Sequence, residues 1–159
     1  MSQNVSSGLK IWLDLEETII NNWYDGLLIR PGKIKHWLKS TYNVDEINIW
    51  SFAIWDENDK KEFVSSGMKE AIEKALECRI IDFPSVEEMQ YKIEEYEGIK
   101  YDSRGEFMQL NQKRWSFMKY CLGYEPNTRC VLLDDAVPSW ELIDWKTKTV
   151  VHLINVTDI

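Results

Sequence analysis

The chain has 159 residues, with 27 Asp and Glu against 19 Lys and Arg for a formal net charge of −8, and 44% hydrophobic residues. That length admits one domain over 1–159 with a proper core, and the composition excludes a disordered chain. The acidic balance excludes extended, sequence-independent binding of nucleic acid, which needs clustered Lys and Arg to neutralise phosphates.

A polar leader, Met1–Gly8, has neither the basic start nor the apolar stretch of a signal peptide. No apolar run reaches the length of a membrane span, so the expected location is the cytoplasm. Leu9–Leu13 is apolar enough for a strand and ends on Asp14. Asn21-Asn22 and Asp25-Gly26 mark a turn region. Pro31-Gly32 opens a helix whose Ile34, Trp37 and Leu38 recur at helical spacing. Ile47–Ile54, β-branched and aromatic, is a second strand with Ser51 toward its end. Asn58 or Asp59 caps a helix running to about Cys78. Ser85, after Pro84, caps another with acidic residues in its first turn. Phe107–Leu122 reads as one helix stopped by Gly123. Arg129–Leu133 is a third strand, again running into acid at Asp134-Asp135. Pro138–Trp145 is expected as a short helix, and Thr149–Val156 as a fourth strand.

Strands alternating with helices point to an α/β fold: a Rossmann-like, three-layer, mostly parallel sheet covered on both faces. The charged, tyrosine-rich stretch 83–112 is expected as a small helical, cap-like insertion. The eight Trp read as core and rim anchors. Cys78, Cys121 and Cys130 lack CxxC spacing and read as buried thiols. His36 and His152 are too far apart in sequence for a His metal site.

In open parallel sheets, ligands bind beyond the carboxyl ends of the strands. Asp14, Ser51 and Asp134-Asp135 all fall at such ends. Asp14 and Glu16, two residues apart just past a strand, supply a nucleophile or metal ligand and a proton donor. Asp134-Asp135 completes a hard oxygen site suited to Mg²⁺. Ser51 adds a hydroxyl, and a lysine on the helix before the third strand can meet a phosphate oxygen.

These residues carry a resemblance. Leu13-Asp14-Leu-Glu16-Glu-Thr18 resembles the first motif of the haloacid-dehalogenase (HAD) phosphatases, Asp-x-Asp-x-Thr. Arg30-Pro31-Gly32, the helix after it, and Ile49-Trp50-Ser51 are similar to the small carboxy-terminal-domain phosphatases and nuclear-LIM-interactor-like factors. So is Val131-Leu-Leu-Asp134-Asp135, with Pro138 and Trp140 behind it. The resemblance implies a HAD-like fold and a Mg²⁺-dependent phosphomonoester hydrolase that forms an aspartyl-phosphate on Asp14. It implies Mg²⁺ held by Asp14, the main-chain carbonyl of Glu16 and Asp135, with Asp134 assisting. Phosphate would be held by Ser51 and Lys119, with Lys113 as a substitute lysine, and Glu16 would stand where the family keeps its second Asp as general acid.

The substrate class expected is a phosphorylated small molecule, a nucleotide or a phosphopeptide. Trp12, Trp23, Trp50 and Trp55 flank the motif strands as candidates to stack a base. Glu16 in place of Asp favours an alternative, a catalytically impaired HAD-like module that engages a protein partner. A receiver-like phosphate acceptor fits less well, because its paired acids would be expected near the first strand.

Overall fold

The computed structural model describes residues 8–159; of the polar leader Met1–Gly8, all but Gly8 lies outside the described residues. Six strands form its sheet: β1 (Gly8–Leu13), β2 (Glu46–Ile49), β3 (Arg79–Ile80), β4 (Thr128–Asp134), β5 (Trp140–Asp144) and β6 (Thr149–Asn155). Their spatial order is β3-β2-β1-β4-β6-β5. All neighbours pair parallel except β5, which runs antiparallel to β6.

Because successive strand side chains point to opposite faces, each central strand feeds two cores. Ile11 and Leu13 of β1 join Val131 and Leu133 of β4 in one buried cluster. Trp12 joins Cys130 and Leu132 in the other. The first is closed by Ile34 of α1 (Pro31–Trp37), Phe63 of α2 (Glu57–Ser65) and Ile72 and Leu76 of α3 (Met68–Leu76). The second is closed by Val86, Met89 and Ile93 of α4 (Val86–Glu97), Phe107 of α5 (Arg104–Leu110) and Phe117 and Cys121 of α6 (Lys113–Tyr124). The three-layer α/β architecture read from the sequence is therefore present. Helices linking β1, β2 and β3 cover one face, and those between β3 and β4 cover the other. The winding reverses between β1 and β4, and the crevice beyond such a reversal is where open α/β sheets bind ligands.

Several elements differ from their sequence reading. Pro138–Trp145 is not helical: Trp140–Asp144 alternates partly buried and exposed residues and pairs with β6. Asp144 closes the hairpin by accepting the Thr147 N–H at 3.1 Å, and Lys148 takes a left-handed φ of 58°. The second strand stops at Ile49, short of Ile54. The helix expected to end at Cys78 is two, capped by Asp56 and broken at Gly67, whose φ of 87° suits glycine. Residues 107–122 are likewise split, at Asn111-Gln112. Gly123 does not end α6 but lies within it, where a Cβ would sit 2.8 Å from the Tyr96 ring of α4. Its missing side chain is what lets α4 and α6 approach. Ser85 caps α4 as expected, and Glu88 completes a capping box by accepting the Ser85 N–H.

Within 83–112, α4 and α5 bury Val86, Met89, Ile93 and Phe107 completely. The stretch is helical, and its inner side chains belong to the core. Trp12 and Trp50 are buried edge to face at 5.7 Å among Phe117 and Tyr120, so they are core anchors and not base-stacking surfaces. Trp23 stacks on Phe63 at 6.2 Å, and Trp55 stays exposed. All three cysteines are buried and free. Among the described residues, no helix is long and apolar enough to cross a membrane.

Candidate active site

The sheet ladder continues one residue past β1. Asp14 donates its N–H to the Leu133 carbonyl at 3.0 Å, and Trp50 donates to Leu13 at 2.9 Å, so the ends of β1, β2 and β4 stay level. The chain then turns tightly: the Leu15 carbonyl accepts N–H groups from Thr18, Ile19 and Ile20, and Glu17 adopts a left-handed φ of 63°. Arg30 clamps this turn, its Nη1 donating to the carbonyls of Glu17 at 2.7 Å and Thr18 at 2.9 Å. The Arg of the Arg-Pro-Gly stretch thus positions the loop after Asp14.

At this switch point Asp14, Asp134 and Asp135 each bring an oxygen to within 4.8 Å of the others. Asp14 and Asp134 are buried. Lys113 reaches in from the first residue of α6, its Nζ 2.5 Å from Asp14 Oδ1 and 3.5 Å from Asp134 Oδ2. The Thr18 hydroxyl lies between two of the acids, 3.3 Å from Asp14 Oδ2 and 3.4 Å from Asp135 Oδ1. Its single proton serves one of them at a time. Burial pushes the Asp14 carboxyl up to about 7; Lys113 opposes that rise, while Asp134 and Asp135 add to it. The Lys113 ammonium is held above its usual range by Asp14 and Asp134, although burial works the other way.

Two buried carboxylates paired to one ammonium, with Asp135 beside them, leave negative charge uncompensated. Asp134 Oδ1 accepts the Ala136 N–H at 2.7 Å, but its buried Oδ2 accepts no hydrogen bond. A buried carboxylate oxygen met only by the Lys113 ammonium at 3.5 Å, beside two further carboxylates, is a donor set that fits a hard divalent cation such as Mg²⁺.

The other residues expected here divide. Ser51 is buried at the carboxyl end of β2, where its Oγ accepts the Ala53 N–H at 3.1 Å. Its neighbour Phe52 lies under Lys113, with Nζ 5.0 Å from the ring centroid, so the β2 loop reaches the site. Lys119 is not at the acids; its Nζ lies 2.5 Å from Asn111 Oδ1 and 2.9 Å from Glu97. Lys113 and Lys119 are six residues apart, about 240° around a helix, so only one can face the site. The break at Asn111-Gln112 sets the phase that selects Lys113. The Glu16 carboxylate is not among the acids that cluster within 4.8 Å of one another; its Oε2 accepts the Trp23 N–H at 2.8 Å. Thr18 and Arg30 were visible only as motif letters, because their roles are contacts to backbone and to distant acids.

No protein-family model matches this chain, and comparisons with curated proteins and with solved structures find no match either.

Proposed function

We propose that this chain is a Mg²⁺-dependent phosphomonoester hydrolase of the haloacid-dehalogenase type, acting through Asp14. The observation that supports it most is Asp14 at the switch point of the sheet, ion-paired to Lys113 and grouped with Asp134 and Asp135. Neutralising a phosphoryl group and placing a nucleophile behind it is most of what phosphoryl transfer requires. Asp14, Asp134 and Asp135 would hold Mg²⁺, which supplies the positive charge that offsets repulsion between carboxylate and phosphate.

In this reading an Asp14 carboxylate oxygen attacks phosphorus, and the bond from phosphorus to the ester oxygen breaks. The departing oxygen takes a proton from Glu16, which must first release the Trp23 N–H. Water, giving a proton back to Glu16, then attacks phosphorus; the bond from phosphorus to Asp14 breaks, freeing inorganic phosphate and restoring Asp14. Lys113 and Ser51 hold the non-bridging oxygens, and Thr18 orients Asp14 and Asp135. The substrate is a phosphorylated small molecule, nucleotide or phosphopeptide.

One observation favours a second reading, a catalytically impaired module that engages a protein partner: the Glu16 carboxylate is engaged in the loop, outside the cluster of three acids. The deciding experiment is an aryl phosphate panel with and without Mg²⁺, beside a structure soaked with Mg²⁺ and beryllium fluoride. Mg²⁺-dependent turnover abolished by Asp14→Asn, with a fluoroberyllate adduct on Asp14, supports the hydrolase. Absence of both leaves the binding module.

A further inference from the structure

Beside the acidic site lies a cleft of about 160 Å³. Lys113, whose ammonium contacts Asp14 and Asp134, and Ala136, the residue after Asp135, form the wall it shares with the acids. Arg114 and Trp115 also line it. The Arg114 guanidinium carbon lies 5.1 Å from the Trp115 ring centre and 5.3 Å from that of Trp140. The two rings meet edge to face at 6.3 Å. Trp140 is there because residues 140–144 form β5 and not a helix.

A guanidinium near aromatic faces is attracted to them electrostatically while its N–H donors remain available to an anion. Among the described residues Arg114 has no carboxylate and no hydrogen-bond acceptor. This differs from the other two cations of the site, since Lys113 is engaged by Asp14 and Arg30 by two carbonyls. An unpaired fork of donors matches a planar or tetrahedral oxyanion held by two hydrogen bonds.

We propose that this cleft is the leaving-group subsite, and that Arg114, held beside Trp115 and Trp140, selects phosphoesters carrying a second anionic group, a carboxylate or another phosphate. The proposal rests on the phosphate-site reading of Asp14 and Lys113. It makes Arg114 a specificity residue: the first phosphate is engaged by Lys113, and the second anion by the next residue of the chain.

The test uses stable phosphonates, titrated calorimetrically into the full chain with Mg²⁺ present. Each alkylphosphonate of two to four carbons is compared with its ω-carboxylate and with the corresponding bisphosphonate, so the two anion types are read separately. At one chain length or more, the second anion should tighten binding about tenfold or more, as charge-assisted hydrogen bonds do. That preference should collapse toward unity in Arg114→Gln and be partly kept in Arg114→Lys. Circular dichroism would show both variants folded. If alkylphosphonates bind but no second anion adds affinity at any length, the subsite is wrong while the phosphate site stands. A preference that survives Arg114→Gln also overturns the role of Arg114. If no phosphonate binds at all, the phosphate-site reading falls, and the subsite with it.

Discussion

The Lys113 ammonium lies 2.5 Å from Asp14 Oδ1 across 99 residues of sequence. Lys119, six positions further along the same helix, is held instead by Glu97 and Asn111. The two lysines therefore have different expected phenotypes. Lys113→Met leaves two buried carboxylates without their cation, and breaking a buried pair in this way costs about 3 kcal/mol. It should also lower Mg²⁺-dependent turnover on the order of a hundredfold or more, the usual loss for a donor aimed at developing charge. Lys119→Met should cost only about 1 kcal/mol, with turnover within a few-fold of the parent. Chemical denaturation and steady-state assays of the two variants check this, and the reverse ranking would restore Lys119 as the phosphate lysine.

What the sequence made legible here is what is local or periodic. Apolar strands running into Asp14 and Asp134 could be read directly, because a buried parallel strand is a continuous apolar run. The choice between Lys113 and Lys119 was not legible, since it depends on a helix break at Asn111-Gln112. Asn111 is fully buried, with Nδ2 donating to the Phe107 carbonyl at 3.1 Å. A polar side chain satisfied inside the fold leaves no periodic trace. The Trp140–Asp144 strand was missed because Pro138 and a short apolar run suit a helix start equally well. Its identity as a strand comes from pairing with β6, a tertiary effect. Glu16 was readable as an acid near Asp14, but its partner, the Trp23 amide, is set by how the loop closes.

The stretch 83–112 should prove necessary for folding. Ile93 of α4 is fully buried in the cluster that also holds Trp12, Trp50 and Phe117. Ile93→Ala is expected to cost about 2–5 kcal/mol, the range for truncating a large aliphatic side chain in a core. A urea midpoint lowered with an unchanged slope would show it. A substitution with no effect on stability would mean the segment is peripheral.

His152 sets a pH dependence of stability. Burial lowers the pKa of its ring; Glu141 opposes that shift and Arg129 adds to it. Arg129 Nη2 lies 2.9 Å from His152 Nδ1. Arginine only donates, so Nδ1 must accept and the ring is neutral. A folded-state pKa below the unfolded value means that the unfolded chain binds the extra proton first. The associated stability is present above the unfolded value and is lost as pH falls from it toward the folded pKa. Melting temperature should therefore decline on acidification below about 6.5, the usual histidine value, with a smaller decline in His152→Gln. An NMR titration of the His152 ring checks the direction, and a midpoint above the ordinary histidine range would contradict it.

The sharpest question is what Glu16 does, because its carboxylate has two candidate partners. In the structure, Oε2 accepts the Trp23 N–H at 2.8 Å, and Trp23 is itself anchored on Phe63. The proposed reaction asks the same carboxyl to protonate a leaving oxygen. Glutamine separates these roles, since its amide oxygen can accept the Trp23 N–H but its side chain cannot act as an acid at neutral pH. Alanine removes both. The expected outcome is that Trp23 amide exchange stays slow in Glu16→Gln and becomes faster in Glu16→Ala. Turnover of alkyl phosphates should fall about a hundredfold in both, the scale for a positioned proton donor. Aryl phosphates, whose leaving groups need little protonation, should lose far less. Hydrogen exchange read at the Trp23 amide, together with the ratio of alkyl to aryl rates, distinguishes the two roles. If Glu16→Gln turns over alkyl phosphates as the parent does, Glu16 only fastens the loop, and the proton must come from water or another group.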